Sequence, residues 1–399
     1  MTNELKELIL REVDRPQPSS RVIDIDRAMR EGRGIDRRTV IAVVVAGGAV
    51  LSVAGGGAMI AREVSEPAGS GSRGSDPTER ATSDVCRIRE LAIPEGATDS
   101  SVIAGEPSGR FLAGSAWGDG TSGLLVLWEN GQPTTFSVPG ATRANVAAVN
   151  NFGIVVGSSD AGPWRYADGK ATLLSTSAGR SSFATNINSR GDVVGYRSDG
   201  TGRERAIIWP AHEPGVVRDL VDRSLERNHS YENTIAAGIG DDGTIVGFAD
   251  LGSTESNAGD RFQVVVWRAD GQLYELTRKG RGSTGHVSIR GELVLESSQR
   301  DGSNPILWRW LSNQYAYEVL PVQMQARSFN RNMVVVGTRR HSENRTSAVI
   351  LREWGVLSEL GLPNGVLSSA AVAVSDNGYV FGNVRFQNGR GAAVSWSGC

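Results

Sequence analysis

A degenerate segment recurs seven times between about residue 98 and the C-terminus, and self-similarity at a near-constant period constrains the fold before any single residue does. Each copy begins with a turn ending in Gly. An aliphatic triplet closed by Gly follows, then a variable loop, then a second aliphatic run closed by Trp. The plainest copies read Asn188-Ser-Arg-Gly-Asp-Val-Val-Gly195 with Ala206-Ile-Ile-Trp209, and Asp241-Asp-Gly-Thr-Ile-Val-Gly247 with Val264-Val-Val-Trp267. The triplet-closing residue falls at Gly114, Gly157, Gly195, Gly247, Leu295, Gly337 and Gly382. The second landmark keeps step at Trp128, Trp164, Trp209, Trp267, Trp308, Leu351 and Trp396. Length varies mainly between the landmarks, as expected if insertions enter loops on one face.

Each copy contains four strand-like pieces. In order they are an inner one (such as Asn145 to Val149), the Val-Val-Gly piece, the Ile-Ile-Trp piece and an outer one (Val216 to Leu220, Leu273 to Leu276). Turns such as Asp242-Gly243 and Asn377-Gly378 join the first two, where positive φ favours Asn, Asp and Gly. The β-branched, continuously apolar triplets suit strands covered on both faces. Four antiparallel strands per unit of roughly 40–50 residues describe the blade of a β-propeller. The expectation is therefore an all-β, seven-bladed β-propeller of four-stranded antiparallel blades. A solenoid of sandwiched hairpins is the alternative.

The seventh copy ends at Trp396-Ser-Gly-Cys399, after its third strand, whereas Cys86-Arg-Ile-Arg-Glu-Leu91 precedes the first copy and resembles an outer strand. The N-terminal piece is expected to complete the last blade. Cys86 and Cys399, the only cysteines, then meet across a hairpin, and a disulfide would lock the ring.

Residues 39–61 carry no charge and would span roughly 34 Å as a helix, enough to cross a bilayer core of about 30 Å. Arg27, Arg30, Arg33, Arg37 and Arg38 crowd the preceding flank, which places the N-terminus in the cytoplasm and the repeats outside. The layout is a cytoplasmic segment (1–38), a transmembrane helix (39–61), a flexible linker rich in Gly, Ser, Pro and charge (62–84) and an extracytoplasmic propeller (85–399). A cleaved twin-arginine signal beginning at Arg37-Arg38, and hence a secreted protein, is the rival reading. Gly48, Ser52 and Gly56 lie at four-residue spacing, which permits close helix approach and a homodimer. The cytoplasmic segment is too short to bury a core and is either a flank or a binding motif for a cytoplasmic regulator.

The propeller segment carries 30 Lys and Arg against 31 Asp and Glu, a balance without the basic footprint of a nucleic-acid binder. Two cysteines exclude a Cys-rich metal site, and His212, His229, His286 and His341 fall in different copies without zinc-ligand spacing. No nucleophile elbow, phosphate-binding Gly loop or EF-hand pattern occurs. No cofactor, metal or catalytic residue is expected. The repeated tryptophans read as inter-blade core, with Trp117 and Trp310 out of register as candidates for exposed aromatics. A ligand face would lie on the loops joining second to third strands and blade to blade. There Arg203, Arg205, Arg261, Arg300, Arg339, Arg340, His341 and Arg385 are the candidates for an anionic ligand. The longest insertions, 221–233 and 248–262, flank the fourth copy and are candidates for partner-specific loops.

The repeat resembles the HAF family of extracellular repeats found in bacterial exported proteins. Its pattern Ile-Asn-x-x-Gly-x-Val-Val-Gly is met by Ile187-Asn188-Ser-Arg-Gly191-Asp-Val-Val-Gly195, and the likeness covers roughly residues 98–398. Leu295, Met333 and Leu351 depart from it in the fifth and sixth copies. The resemblance implies an exported propeller-like domain and carries no catalytic residues. The resulting expectation is a non-enzymatic envelope protein that binds a ligand or another envelope protein. The alternatives are a transmembrane regulator resembling anti-sigma factors in layout, and an envelope hydrolase or lyase working at the channel mouth.

Overall fold

The computed structural model describes residues 86–399 apart from 119–120, 177–180, 224–230, 251–261, 277–285, 298–303, 312–313, 343–344 and 353–354. The proposed transmembrane helix and cytoplasmic segment, together with Gly48, Ser52 and Gly56, lie outside the described residues. The described chain forms seven four-stranded antiparallel sheets. Blade 1 is β2–β5 (99–136), blade 2 β6–β9 (144–173) and blade 3 β10–β13 (181–219). Blade 4 is β14–β17 (233–276), blade 5 β18–β21 (286–319) and blade 6 β22–β25 (325–359). Blade 7 takes β26–β28 (366–397) and completes itself with β1 (Arg87–Glu90), in the order β1-β28-β27-β26. The seven-bladed reading holds, and the solenoid alternative falls.

Ring closure follows the expected route. Arg87 pairs with Ser397 and Glu90 with Val394, and Cys86 is disulfide-bonded to Cys399, 313 positions away. Arg390 adds two hydrogen bonds to Glu90, at 2.7 and 2.9 Å.

The triplet-closing glycines have a local cause. In blades 1, 2, 3, 4, 6 and 7 the inner strand shifts register by one residue opposite that glycine, a β-bulge. The bulge drives an inner-strand carbonyl onto its neighbour. A Cβ at Gly114, Gly157, Gly195, Gly247, Gly337 or Gly382 would overlap the oxygen of Ser101, Asn145, Phe183, Ile235, Gln325 or Ala370. Blade 5 has no bulge, Ser288 faces Leu295 in plain register, and Leu295 is fully buried against blade 6. The departure in the fifth copy is thus a change of strand geometry, with a side chain filling the space that the straightened strand leaves.

The repeated tryptophans are core. Trp128, Trp164, Trp308 and Trp396 are fully buried. Four of the repeat tryptophans also tie blades together. Nε1 of Trp128, Trp209, Trp267 and Trp396 donates to the carbonyl of Ala92, Ser175, Val221 and Gly361, each just after the outer strand of the preceding blade. Hydroxyls add a second tie, such as Ala206 N–H to Thr234 Oγ1 (3.0 Å) and Ala393 N–H to Ser100 Oγ (3.0 Å).

The turn Asn of the repeat does two jobs. Asn150 Oδ1 accepts from Phe152 and Ile154 within its own turn, while its Nδ2 donates to Asn188 O in the next blade. Asn188 in turn donates to Gly240 O, and Asn330 to Ser375 O. These turns are three-residue loops with one left-handed residue (Gly153, Gly243, Gly378), rather than hairpins with two. Met333 occupies that position in blade 6 at φ 62°. One expected strand and one expected exposed aromatic are also revised. The outer strand of blade 3 is only Arg218–Asp219, and Trp310 is packed between Tyr274 and Tyr315 at 4.9 and 4.8 Å, whereas Trp117 is exposed.

Candidate functional site: a half-buried carboxyl between blades 3 and 4

Antiparallel blades put the second-to-third-strand loops and the blade crossings on one face of the ring. On that face, Asp199 caps a turn by accepting from Thr201 N–H (2.9 Å) and Arg203 N–H (3.3 Å), and the chain re-enters the sheet at β12 (Glu204–Trp209). Strand alternation puts Glu204 on the side of Ala206, which belongs to the core shared by blades 3 and 4. Its backbone N–H donates to Asn233 Oδ1 of blade 4 at 2.8 Å. Asn233 Nδ2 donates to the buried Asp250 at 3.1 Å.

Glu204 Oε2 is buried without a hydrogen-bond partner. Burial alone pushes its carboxyl up to about 7, so the acid is poised near neutrality. Tyr196 pairs with Ala206, so it lies on the same face, and it stacks on Phe183 with centroids 4.9 Å apart. Its phenol is pushed above the usual range, first by burial and then by the Glu204 charge. From blade 4, Gln263 lies on the side of Val265 and Trp267, and its Oε1 is likewise buried and unpartnered.

The neighbouring arginines are engaged elsewhere. Arg205 Nη1 donates to the carbonyls of Tyr231 (3.0 Å) and Glu232 (3.3 Å) and pairs with Asp222 at 3.3 Å. Arg197 pairs with Asp219. Among the described residues, Glu204 therefore has no counter-ion in a partly apolar wedge.

A second shifted group, the half-buried His286, sits further round the ring. His286 opens the inner strand of blade 5, and its Nε2 lies 2.7 Å from Arg327 O of blade 6. Burial, then the Arg327 charge, lowers the imidazole to about 4. Burial also lowers Arg327.

Among the described residues, the arginine and histidine positions expected from sequence fall in three blades. Arg203 and Arg205 flank Glu204. Arg203 is exposed in the turn, and Arg205 is held by its own blade crossing. Arg339, Arg340 and His341 form an exposed strip on β23 (Val335–Ser342) of blade 6, where His341 Nε2 lies 2.9 Å from Ser347 Oγ and 3.2 Å from Glu359. Arg385 is exposed on β27 (Val380–Phe386) of blade 7. Arg261 and Arg300 lie outside the described residues. Of the two insertions, 221–233 and 248–262, the described ends supply Asp222, Tyr231, Asn233 and Asp250 around Glu204. Glu204 is not distinguished in the sequence, where an acid between two arginines reads as solvated charge. The one signal was its place two residues before the aliphatic run that faces blade 4. Among the described residues, no group of three His, Cys, Asp or Glu side chains could hold a metal.

No family model matches the chain, and no curated protein matches it. Solved structures do. A puromycin-hydrolysing peptidase of Mycobacterium tuberculosis superposes with a TM-score of 0.52 at 13% identity over 78% of this chain and 51% of the peptidase. A puromycin hydrolase mutant superposes with a TM-score of 0.51 at 14% identity, over 76% of this chain and 55% of the hydrolase. The chain thus spans about half the length of these peptidases. The β-propeller domain of the trilobed protease from Pyrococcus furiosus gives 0.48 at 11% identity, over 75% and 96%. At these identities the likeness is one of fold. It nonetheless corrects the expectation that the chain is not an enzyme. That expectation rested on motifs missing from a propeller repeat, and the same propeller fold occurs inside hydrolases, so missing motifs do not decide against catalysis. The chain belongs to the β-propeller fold that these peptidases share.

Proposed function

We propose that this chain is an envelope-anchored recognition propeller. Residues 39–61 hold it in the membrane, residues 62–84 tether it, and the loop-bearing face selects a ligand or partner outside the cell. The observation that carries this reading is the Cys86–Cys399 disulfide, a bond that persists in oxidising compartments, on a chain whose uncharged stretch follows an arginine-rich flank. The HAF-like repeat supports export. Protease treatment of intact spheroplasts tests it. The propeller should be released by cleavage in the tether without lysis, and protection until lysis would refute it.

Catalysis at the same face is the second reading. Glu204 favours it, since a carboxyl held near neutrality is suited to general acid–base work. Hydrolysis of aminoacyl nitroanilides that is lost in Glu204→Gln would establish it.

A further inference from the structure

The face opposite the loops carries the turns that join first to second strands. In blades 7, 1 and 2 those turns, 375–379, 106–110 and 150–154, form an aromatic arc. Tyr379 stacks on Phe381 at 6.4 Å, and a Cβ on Gly109 of blade 1 would lie 3.0 Å from the Phe381 ring. One on Gly153 of blade 2 would lie 2.8 Å from the Phe111 ring, so each glycine rests on a ring of the preceding blade. Phe111 and Phe381 are buried, whereas Tyr379 and Phe152 stand out. Phe152, at 69%, is the most exposed large apolar side chain among the described residues. Both carboxylates of these turns are engaged. Glu106 accepts from the N–H groups of Ser108 (2.7 Å), Arg110 (2.8 Å) and Phe111 (3.0 Å), and Asp376 pairs with Arg290. The matching turns of blades 3 to 6 carry Arg190, Asp241, Asp242, Glu292 and Arg331 and no aromatic ring.

We propose that this arc rests on the outer surface of the membrane that holds residues 39–61, with Phe152 and Tyr379 at headgroup depth. The docking rests on the anchored reading and deepens it. The point where the chain enters the ring selects this occupant. Trp396 pairs with Val380, just past the turn 375–379, and Arg87 pairs with Ser397. Cys86 therefore lies at the turn-bearing end of blade 7, the first blade of the arc. Residues 62–85 join it to the anchor, and a Gly- and Ser-rich coil of that length has an r.m.s. reach of roughly 25 Å. So short a reach keeps the arc at high effective concentration beside the lipid, where two rings suffice. Phenylalanine and tyrosine suit the headgroup region, which accommodates an apolar body and, for tyrosine, a polar tip. With Glu106 and Asp376 engaged, the three turns present no free carboxylate to anionic headgroups. The loop-bearing face also exposes apolar side chains, Trp117 and Leu367 among them, but it lies at the other end of the blades from Cys86. Docking on the arc turns that face outward, to the ligand or partner.

Full-length protein reconstituted into vesicles of phosphatidylcholine and phosphatidylglycerol tests this. A nitrobenzoxadiazole label is placed on Asn151→Cys, beside Phe152, or on Thr201→Cys, on the loop-bearing face; both positions are exposed, and the native cysteines are bonded to each other. Doxyl-labelled lipid should quench the Asn151 label, whereas the Thr201 label should respond to aqueous iodide instead. Phe152→Ser combined with Tyr379→Ser should lower the ratio of docked to undocked protein about tenfold, read as lost lipid quenching, with the melting temperature unchanged. Equal lipid quenching at the two positions, or quenching that survives the double substitution, would overturn the docking. Shielding of the Asn151 label from both quenchers would mean that a protein covers the arc, and would overturn it too. Flotation of the vesicles separates the two readings. Protein that fails to float refutes the anchor and the docking together, whereas floating protein with an iodide-accessible Asn151 label refutes the docking alone.

Discussion

Replacing Gly195 by Ala tests the link between the repeat glycine and the inner-strand bulge. The added Cβ would overlap the Phe183 carbonyl oxygen and sit 2.9 Å from its carbon and 3.1 Å from Ala184 Cα. All three atoms are backbone, so no side chain can swing aside. The strands must part by roughly an ångström or the bulge must be lost. Overpacking of this kind costs about 1–3 kcal/mol. Weakening an inter-strand hydrogen bond beside it adds about 1 kcal/mol. A total of about 3 kcal/mol corresponds to a fall of about 6 °C in melting temperature for a domain of this size. Thermal denaturation by circular dichroism measures it, with two controls. Gly131→Ala has φ 79° and nothing within 4 Å of the new Cβ, so it isolates the conformational penalty, about 1 kcal/mol. Leu295→Ala empties a fully buried site in the blade without a bulge and should cost about 2–5 kcal/mol through the cavity it leaves. A Gly195→Ala protein melting with or above the Gly131→Ala protein would refute the steric account.

Two further outcomes follow from the closure and the half-buried His286. Reducing the disulfide, or changing Cys86 to Ser, should lower stability by up to about 5 kcal/mol, because the bond closes a 313-residue separation; equal denaturation midpoints with and without reductant would oppose it. His286 is held neutral with its pKa lowered to about 4, so the unfolded chain takes the proton first and stability is lost as pH falls from about 6.5 towards 4. Urea denaturation at pH 7.5 and pH 5 should show a loss of about 1–2 kcal/mol, which His286→Gln reduces, and an unchanged slope in that variant would refute the assignment.

Much of the fold is legible in the sequence because each blade repeats the same local demands. The aliphatic triplets, the turn glycines and the buried tryptophans each recur at the same point of every unit, so seven weak signals add to one strong one. The closure is legible too, since a missing last strand and a spare first strand leave one pairing that uses both. The departures in copies five and six follow from strand and turn geometry that the repeat does not encode. Leu295 marks a straight inner strand, and Met333 accepts the left-handed turn conformation that the other copies assign to Gly. The arginines of the loop face looked equivalent in sequence, yet Arg205 is absorbed by Asp222 and the blade crossing while Arg339 and Arg340 remain exposed.

Sequence alone determines the number of blades, their strand order and the two residues that lock the ring, because those depend on local periodicity and on chain ends. Tertiary structure alone decides that one carboxyl oxygen of the half-buried Glu204 is enclosed with no counter-ion among the described residues. Glu204 belongs to blade 3, and the groups that meet it, Asn233 and through it Asp250, lie some 30 to 45 residues further on in blade 4. Burial in an interface between two blades is a property of their packing, and no local pattern around Glu204 encodes it.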